Sequence, residues 1–260
     1  MRDHPQDIIR LRISHPSQDG FLLQEYERCS LRRNTMQAAF ETVFDIVYLI
    51  TVVSLGIVMI VQSKDRKQYF LYGLMSVVLG CGDAFHLVPR AIALCTTGLE
   101  NYTVPLGIGK MITSITMTIF YVLLYYVWRI RYHVSEKQGM TVSVWALALL
   151  RIVLCLMPQN KWTSPVEPLA WGIYRNIPFL ILGILLIVLF YRSAKEAHDK
   201  PFRSLWLAIV ISFACYIPVV LFAQGVPATG MLMIPKTCAY VWIVVMGYEA
   251  MKKGRGPLEK

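Results

Sequence analysis

The feature that most constrains this chain is a series of seven long apolar runs, at about 37–62, 69–90, 104–128, 140–158, 169–191, 204–223 and 229–250. Each is near the length that carries an α-helix across ~30 Å of hydrocarbon, about 20 residues. Backbone N–H and C=O groups in lipid must be satisfied by the segment itself or by a closed barrel. Barrel strands would be shorter and would alternate, and these runs do neither. The sequence therefore predicts an all-α fold: a polytopic integral membrane bundle of seven transmembrane helices. Residues 36–251 form the transmembrane domain and 252–260 a basic tail. Residues 1–35 are expected to be a poorly ordered or interfacial extension. They hold no apolar core of a signal peptide, and Met36, at the head of the first run, is the expected native start.

The net charge of +10 would fit a nucleic-acid partner, but its placement argues against one. Lys64, Arg66 and Lys67 lie between runs one and two, and Arg129, Arg131 and Lys137 between three and four. Arg192, Lys195, Lys200 and Arg203 lie between five and six, and Lys252, Lys253, Arg255 and Lys260 after seven. These connections share one side, whereas the opposite loops hold Arg90 and Lys161 at their edges. The positive-inside bias puts the C-terminus in the cytoplasm and the N-terminus outside, which fits a plasma (cytoplasmic) membrane protein. The basic residues are then a topology signal with attraction to anionic lipid. No nucleic-acid partner is expected, membrane lipids are, and oligomeric state is not readable. The six cysteines show no CxxC or Cys/His spacing, so no metal and no cofactor are expected.

Ionisable residues within spans are costly, roughly 2.5–3.5 kcal/mol each on insertion scales. Here they gather towards one side of the membrane. Run one carries Glu41 and Asp45, and run two carries Asp83, His86 and Arg90. Run three carries Lys110, run four Arg151, run five Tyr174, Arg175 and Asn176, and run seven Lys236 and Tyr240. Asp83 lies roughly 10 Å below Arg90 along a helix, and Arg151 and Lys236 are comparably deep. Spacings of three and four put Asp83, His86 and Arg90 on one helical stripe. Such faces are expected to turn inward and form a polar chamber near the outer leaflet.

In that chamber Arg90, Lys110, Arg151, Arg175 and Lys236 outnumber Glu41, Asp45 and Asp83. A surplus of buried cations calls for an anion, with Arg forking onto carboxylate or phosphate oxygens. The expected partner is an anionic amphiphile or a small anion. One reading is an intramembrane lipid hydrolase, in which Asp83 acts with His86 or Asp45 as general acid and base. Lys110, Arg151, Arg175 and Lys236 would hold the anionic head, with Glu41, Arg90, Tyr174, Asn176 and Tyr240 lining the site. The alternative is a non-enzymatic receptor or transporter for a small anion. The same residues also fit interhelical salt bridges that merely fix the bundle, with Arg90 reaching out to the interface.

Run two reads SVVLGCGDAFHLVP over 76–89. It resembles the helix of lysoplasmalogenase-like membrane proteins in which a Gly-Asp pair is followed by apolar residues and a Pro. That resemblance implies a hydrolase of the vinyl-ether bond in lysoplasmalogens, with Gly82-Asp83 supplying the first acid. Asp45 would be the second, because runs six and seven hold no acid before Glu249. Thr118 and Tyr121 stand where that family has a His.

Overall fold

The computed structural model describes residues 16–64, 66–96 and 98–254, with side chains from 36 onward except those of 37 and 227. Residues 1–15 and 255–260 of the expected extension and tail lie outside the described residues. Among the described residues there are seven long helices and no strand. The helices are α1 (Pro16–Gln62), α2 (Lys67–Cys95), α3 (Thr103–Arg131), α4 (Gln138–Leu156), α5 (Leu169–Glu196), α6 (Leu205–Phe222) and α7 (Met233–Lys252). Short 3-10 turns at Leu99–Tyr102, Pro158–Asn160 and Pro227–Leu232 join them on one side. All seven contain a stretch long and apolar enough to cross a membrane.

The chain divides into two units, one ending at Val43 and one running from Phe44. In the first, Met36, Phe40 and Val43 are exposed and Glu41 is half-buried. The second holds the bundle proper. Half of α3's most apolar window is buried, against 22% for those of α1 and α4, so α3 is the central helix. Its Phe120, Tyr121, Leu124, Tyr125 and Trp128 meet Leu182, Leu186 and Phe190 of α5, Ile209 and Phe213 of α6, and Tyr240 and Val244 of α7 in one apolar core. Ile46, Ile50 and Ile57 of α1, Val142, Leu149 and Val153 of α4, and Ile177, Ile181 and Ile184 of α5 point outward. An apolar exterior of this kind suits lipid rather than water.

Several helix ends differ from the sequence reading, and α1 begins at Pro16 rather than near residue 37. Helix α2 continues past Pro89 and Arg90 to Cys95, and α5 extends to Glu196. The α5 extension, residues 192–196, is polar and ends an apolar run without ending the helix; in α2 the polar break is Arg90, and residues 91–95 beyond it are apolar again.

The connections α1–α2, α3–α4 and α5–α6, with the end of α7, define a basic-loop end. Arg131 and Asp199 form an ion pair there at 2.9 Å, with side chains 1% and 0% exposed. Arg131 Nε and Nη2 each donate to one carboxylate oxygen, and the Tyr132 hydroxyl donates to Asp199 at 3.0 Å. Burial, and then the Asp199 carboxylate beside it, raise the Tyr132 phenol well above its usual range. The Arg131 guanidinium also lies 4.9 Å from the ring of buried Phe202.

Candidate functional site

The site is described within the Phe44–Lys260 unit; Glu41 belongs to the other unit. The site's placement begins with close packing of α2 on α3. Gly82 lies against Thr116, and Gly109 backs onto the Phe85 carbonyl. Pro89 has no N–H to give that carbonyl, so it is the natural place for a close approach by a glycine. Thr113 Oγ1 donates across the interface to the Gly82 carbonyl at 3.0 Å. With α2 held in this way, the half-buried Asp83 accepts a 2.6 Å hydrogen bond at Oδ2 from the hydroxyl of buried Tyr48 on α1. A hydroxyl donating to a carboxylate makes a short, strong hydrogen bond.

Lys236 of α7 is 9% exposed. Its Nζ lies 4.8 Å from the ring of Tyr216 on α6 and 5.5 Å from that of Tyr240, one turn along α7. It is within electrostatic reach of Asp83 and Arg151. Arg151 of α4 is 2% exposed and lies with Cζ 3.3 Å from the centre of the Phe179 ring. Its Nε and Nη1 are buried without a hydrogen-bond partner. Among the described residues neither cation makes an ion pair. Asn176 of α5 donates to the Gly172 carbonyl at 2.8 Å and accepts from the Tyr216 hydroxyl at 3.0 Å, which ties the Lys236 cage to α5. The Tyr121 hydroxyl, Ser212 Oγ and the Tyr240 hydroxyl form a loose chain with 3.4 Å links.

The magnitudes decide how to read this. A cation over an aromatic ring gains about 0.5–2 kcal/mol. A buried charge left without its partner costs about 3–5 kcal/mol. Phe179, Tyr216 and Tyr240 therefore cannot balance Arg151 and Lys236. Among the described residues the Asp83 carboxylate reaches Lys236 and none reaches Arg151, so this pair of cations has one acid beside it.

The structure divides what the sequence reading gathers into one chamber. Lys110 and Arg175 do not join the deep group. Glu167, in the α4–α5 connection, accepts from Lys110 Nζ and Arg175 Nη2, each at 3.0 Å. Arg175 Nη1 donates to Asn160 Oδ1 at 2.8 Å, and its Cζ lies 4.0 Å from the Trp162 ring. Trp162 Nε1 in turn donates to the Cys155 carbonyl at 2.8 Å, so the connection is fastened to the end of α4. The cation surplus is accordingly smaller than the span residues alone imply. Tyr174 points outward, 52% exposed, with its ring against Trp171. His86 is half-buried, with Nδ1 3.3 Å from the Leu106 carbonyl on α3. It makes no hydrogen bond to Asp83. Asp45 and Arg90 are half-buried, and each is partnered.

Sequence reasoning brings Asp83, Arg151, Lys236, Asn176 and Tyr240 to this region and misses Tyr48, Phe179 and Glu167 in these roles. The two aromatics look like ordinary members of apolar runs. Glu167 had a signal: it is the acid of a short connection that cannot stray far from the helix ends. Among the described residues no group of His, Cys, Asp and Glu could hold a metal, and Cys81, Cys155, Cys215 and Cys238 are free thiols. Compared with known proteins, the chain matches no family model, no curated protein and no solved structure.

Proposed function

We propose that the protein binds an anionic amphiphile inside the bundle, with Arg151 and Lys236 as receptors for a carboxylate or phosphodiester head. The observation that carries this is Arg151: a guanidinium buried on an aromatic ring, with two nitrogens lacking any acceptor. With Asp83 offsetting one cation, a singly charged head balances the other. Tyr216 and Tyr240 steady Lys236 until the ligand arrives, and the apolar core beside them suits a chain. We place the protein in a plasma (cytoplasmic) membrane, with the basic-loop end towards the cytoplasm.

A titration of purified protein with oleate tests the proposal. Arg151→Met keeps the length and apolar bulk of the side chain and removes the charge. Removing one side of a buried charge contact costs about 2–5 kcal/mol, so affinity should fall about thirtyfold or more while the protein stays folded. Unchanged oleate affinity in folded Arg151→Met would overturn the reading.

The Asp83 carboxylate favours a second reading, hydrolysis of a bound lysolipid, because it is half-buried and aligned by Tyr48. Turnover of a vinyl-ether lysolipid that disappears in Asp83→Asn, with binding kept, would establish it. Binding without turnover in the unaltered protein leaves the binder.

A further inference from the structure

A second cation-lined site lies at the other end of α7. Lys236 and Lys253 are separated by roughly 25 Å along a helix, so this site is independent of the one above. A cavity of about 230 Å³ is lined by Lys200, Pro201, Met246, Glu249, Ala250 and Lys253.

Its geometry follows from how the α5–α6 connection is held. Asp199 is buried in the ion pair with Arg131. Phe202 is fully buried, with its ring 5.8 Å from Tyr72 and 4.9 Å from the Arg131 guanidinium. Lys200 and Pro201 are the two residues between these anchors, so the backbone presents Lys200 to α7 with little freedom. Lys200 makes no hydrogen bond or ion pair among the described residues. Lys253 Nζ gives one hydrogen bond to Glu249 Oε2 at 3.0 Å, which leaves two of its three donors. A lysine at a helix C-terminus complements the helix dipole, and that accounts for Lys253 alone. It does not account for a second lysine, brought from another element to the same cavity and left without an acid.

Two ammonium groups above an apolar floor of Met246, Ala250 and Pro201, at the end of a membrane helix, match a phosphate with a glycerol backbone beneath it. We propose that this cavity binds the head of an anionic diacyl phospholipid from the leaflet at the basic-loop end. Glu249 opposes that binding and sets its strength.

Native mass spectrometry of the full-length protein tests this with phosphatidylglycerol and phosphatidylcholine of matched chains. The unaltered protein should retain phosphatidylglycerol preferentially. Each lysine near an anionic head contributes roughly a factor of five, so Lys200→Gln/Lys253→Gln should weaken retention about thirtyfold. Glu249→Gln should strengthen it. Arg192→Gln/Lys195→Gln, on the same face but outside the cavity, should leave it unchanged. Should the double lysine variant fail to fold, Lys200→Gln alone, at an exposed position, should give about a fivefold loss. Equal losses in the Arg192/Lys195 control, or undiminished retention without the lysines, would show attraction to a basic face only and overturn the proposal. Retention that falls in Arg151→Met and not in the double lysine variant would move the lipid to the deep site and overturn it too. Displacement of the lipid by millimolar inorganic phosphate would make this a free-phosphate site and reject the lipid assignment.

Discussion

Arg131 and Arg151 are both withdrawn from solvent, 1% and 2% exposed, and both lie by a phenylalanine ring. They differ in what accepts their hydrogen bonds. Arg131 is matched by the two oxygens of Asp199, whereas Arg151 has orphaned donors. The same residue type at the same burial is therefore structural in one place and unfinished in the other. Removing Asp199 would leave Arg131 as a buried unpaired charge, so Asp199→Ala should destabilise the protein by about 3–5 kcal/mol. Arg151→Met should be neutral or stabilising, because replacing an uncompensated buried charge by an apolar side chain removes a desolvation cost. Thermal unfolding of both variants in one detergent checks the contrast. A large loss of stability in Arg151→Met would mean that the bundle depends on this charge, and would weaken its reading as a ligand receptor.

At the scale of elements, the pairing of α2 with α3 fixes where Asp83 and His86 lie. It depends on backbone approaches that only small residues permit. A Cβ on Gly109 would collide with the Phe85 carbonyl and the His86 backbone, neither of which can rotate away as a side-chain tip could. Gly109→Val should therefore push α2 outward and cost about 1–3 kcal/mol, as overpacking does. Gly139→Val, at a position with open space around it, should cost far less. Comparing their melting temperatures checks this, and similar losses would contradict it. The helices themselves were legible because crossing lipid demands length and apolarity, both of which are local properties of sequence. Helix ends were less so. Pro89 and Arg90 look like a terminus, yet α2 runs on to Cys95, because Gly109 of α3 covers the carbonyl that Pro89 leaves without a donor. That support comes from another helix, and no pattern within run two contains it. Depth along a helix could likewise be counted from residue numbers. Rotation towards a partner could not, which is why Lys110 was expected beside Lys236 and was found on Glu167.

For the whole molecule, the two proposed sites sit at opposite ends of α7 and divide the cations between two tasks. Deep cations at one end are few, enclosed by aromatics and short of acids. Those at the other end are numerous and exposed, and Arg131 is the buried exception, paired with Asp199. Loop cations of the second kind are the ones that orient a membrane protein during insertion. Their concentration on the α1–α2, α3–α4 and α5–α6 connections supports the proposed orientation, with this end in the cytoplasm and the α4–α5 connection, with Glu167 at its close, outward. Single cysteines in a background lacking the six native ones test the arrangement directly. Ser164→Cys, in the α4–α5 connection, should react with a membrane-impermeant maleimide in intact cells. Glu136→Cys, in the α3–α4 connection, should react only after permeabilisation. The reverse pattern would invert the molecule, place the Arg151–Lys236 site towards the cytoplasmic leaflet, and require its ligand to come from inside the cell.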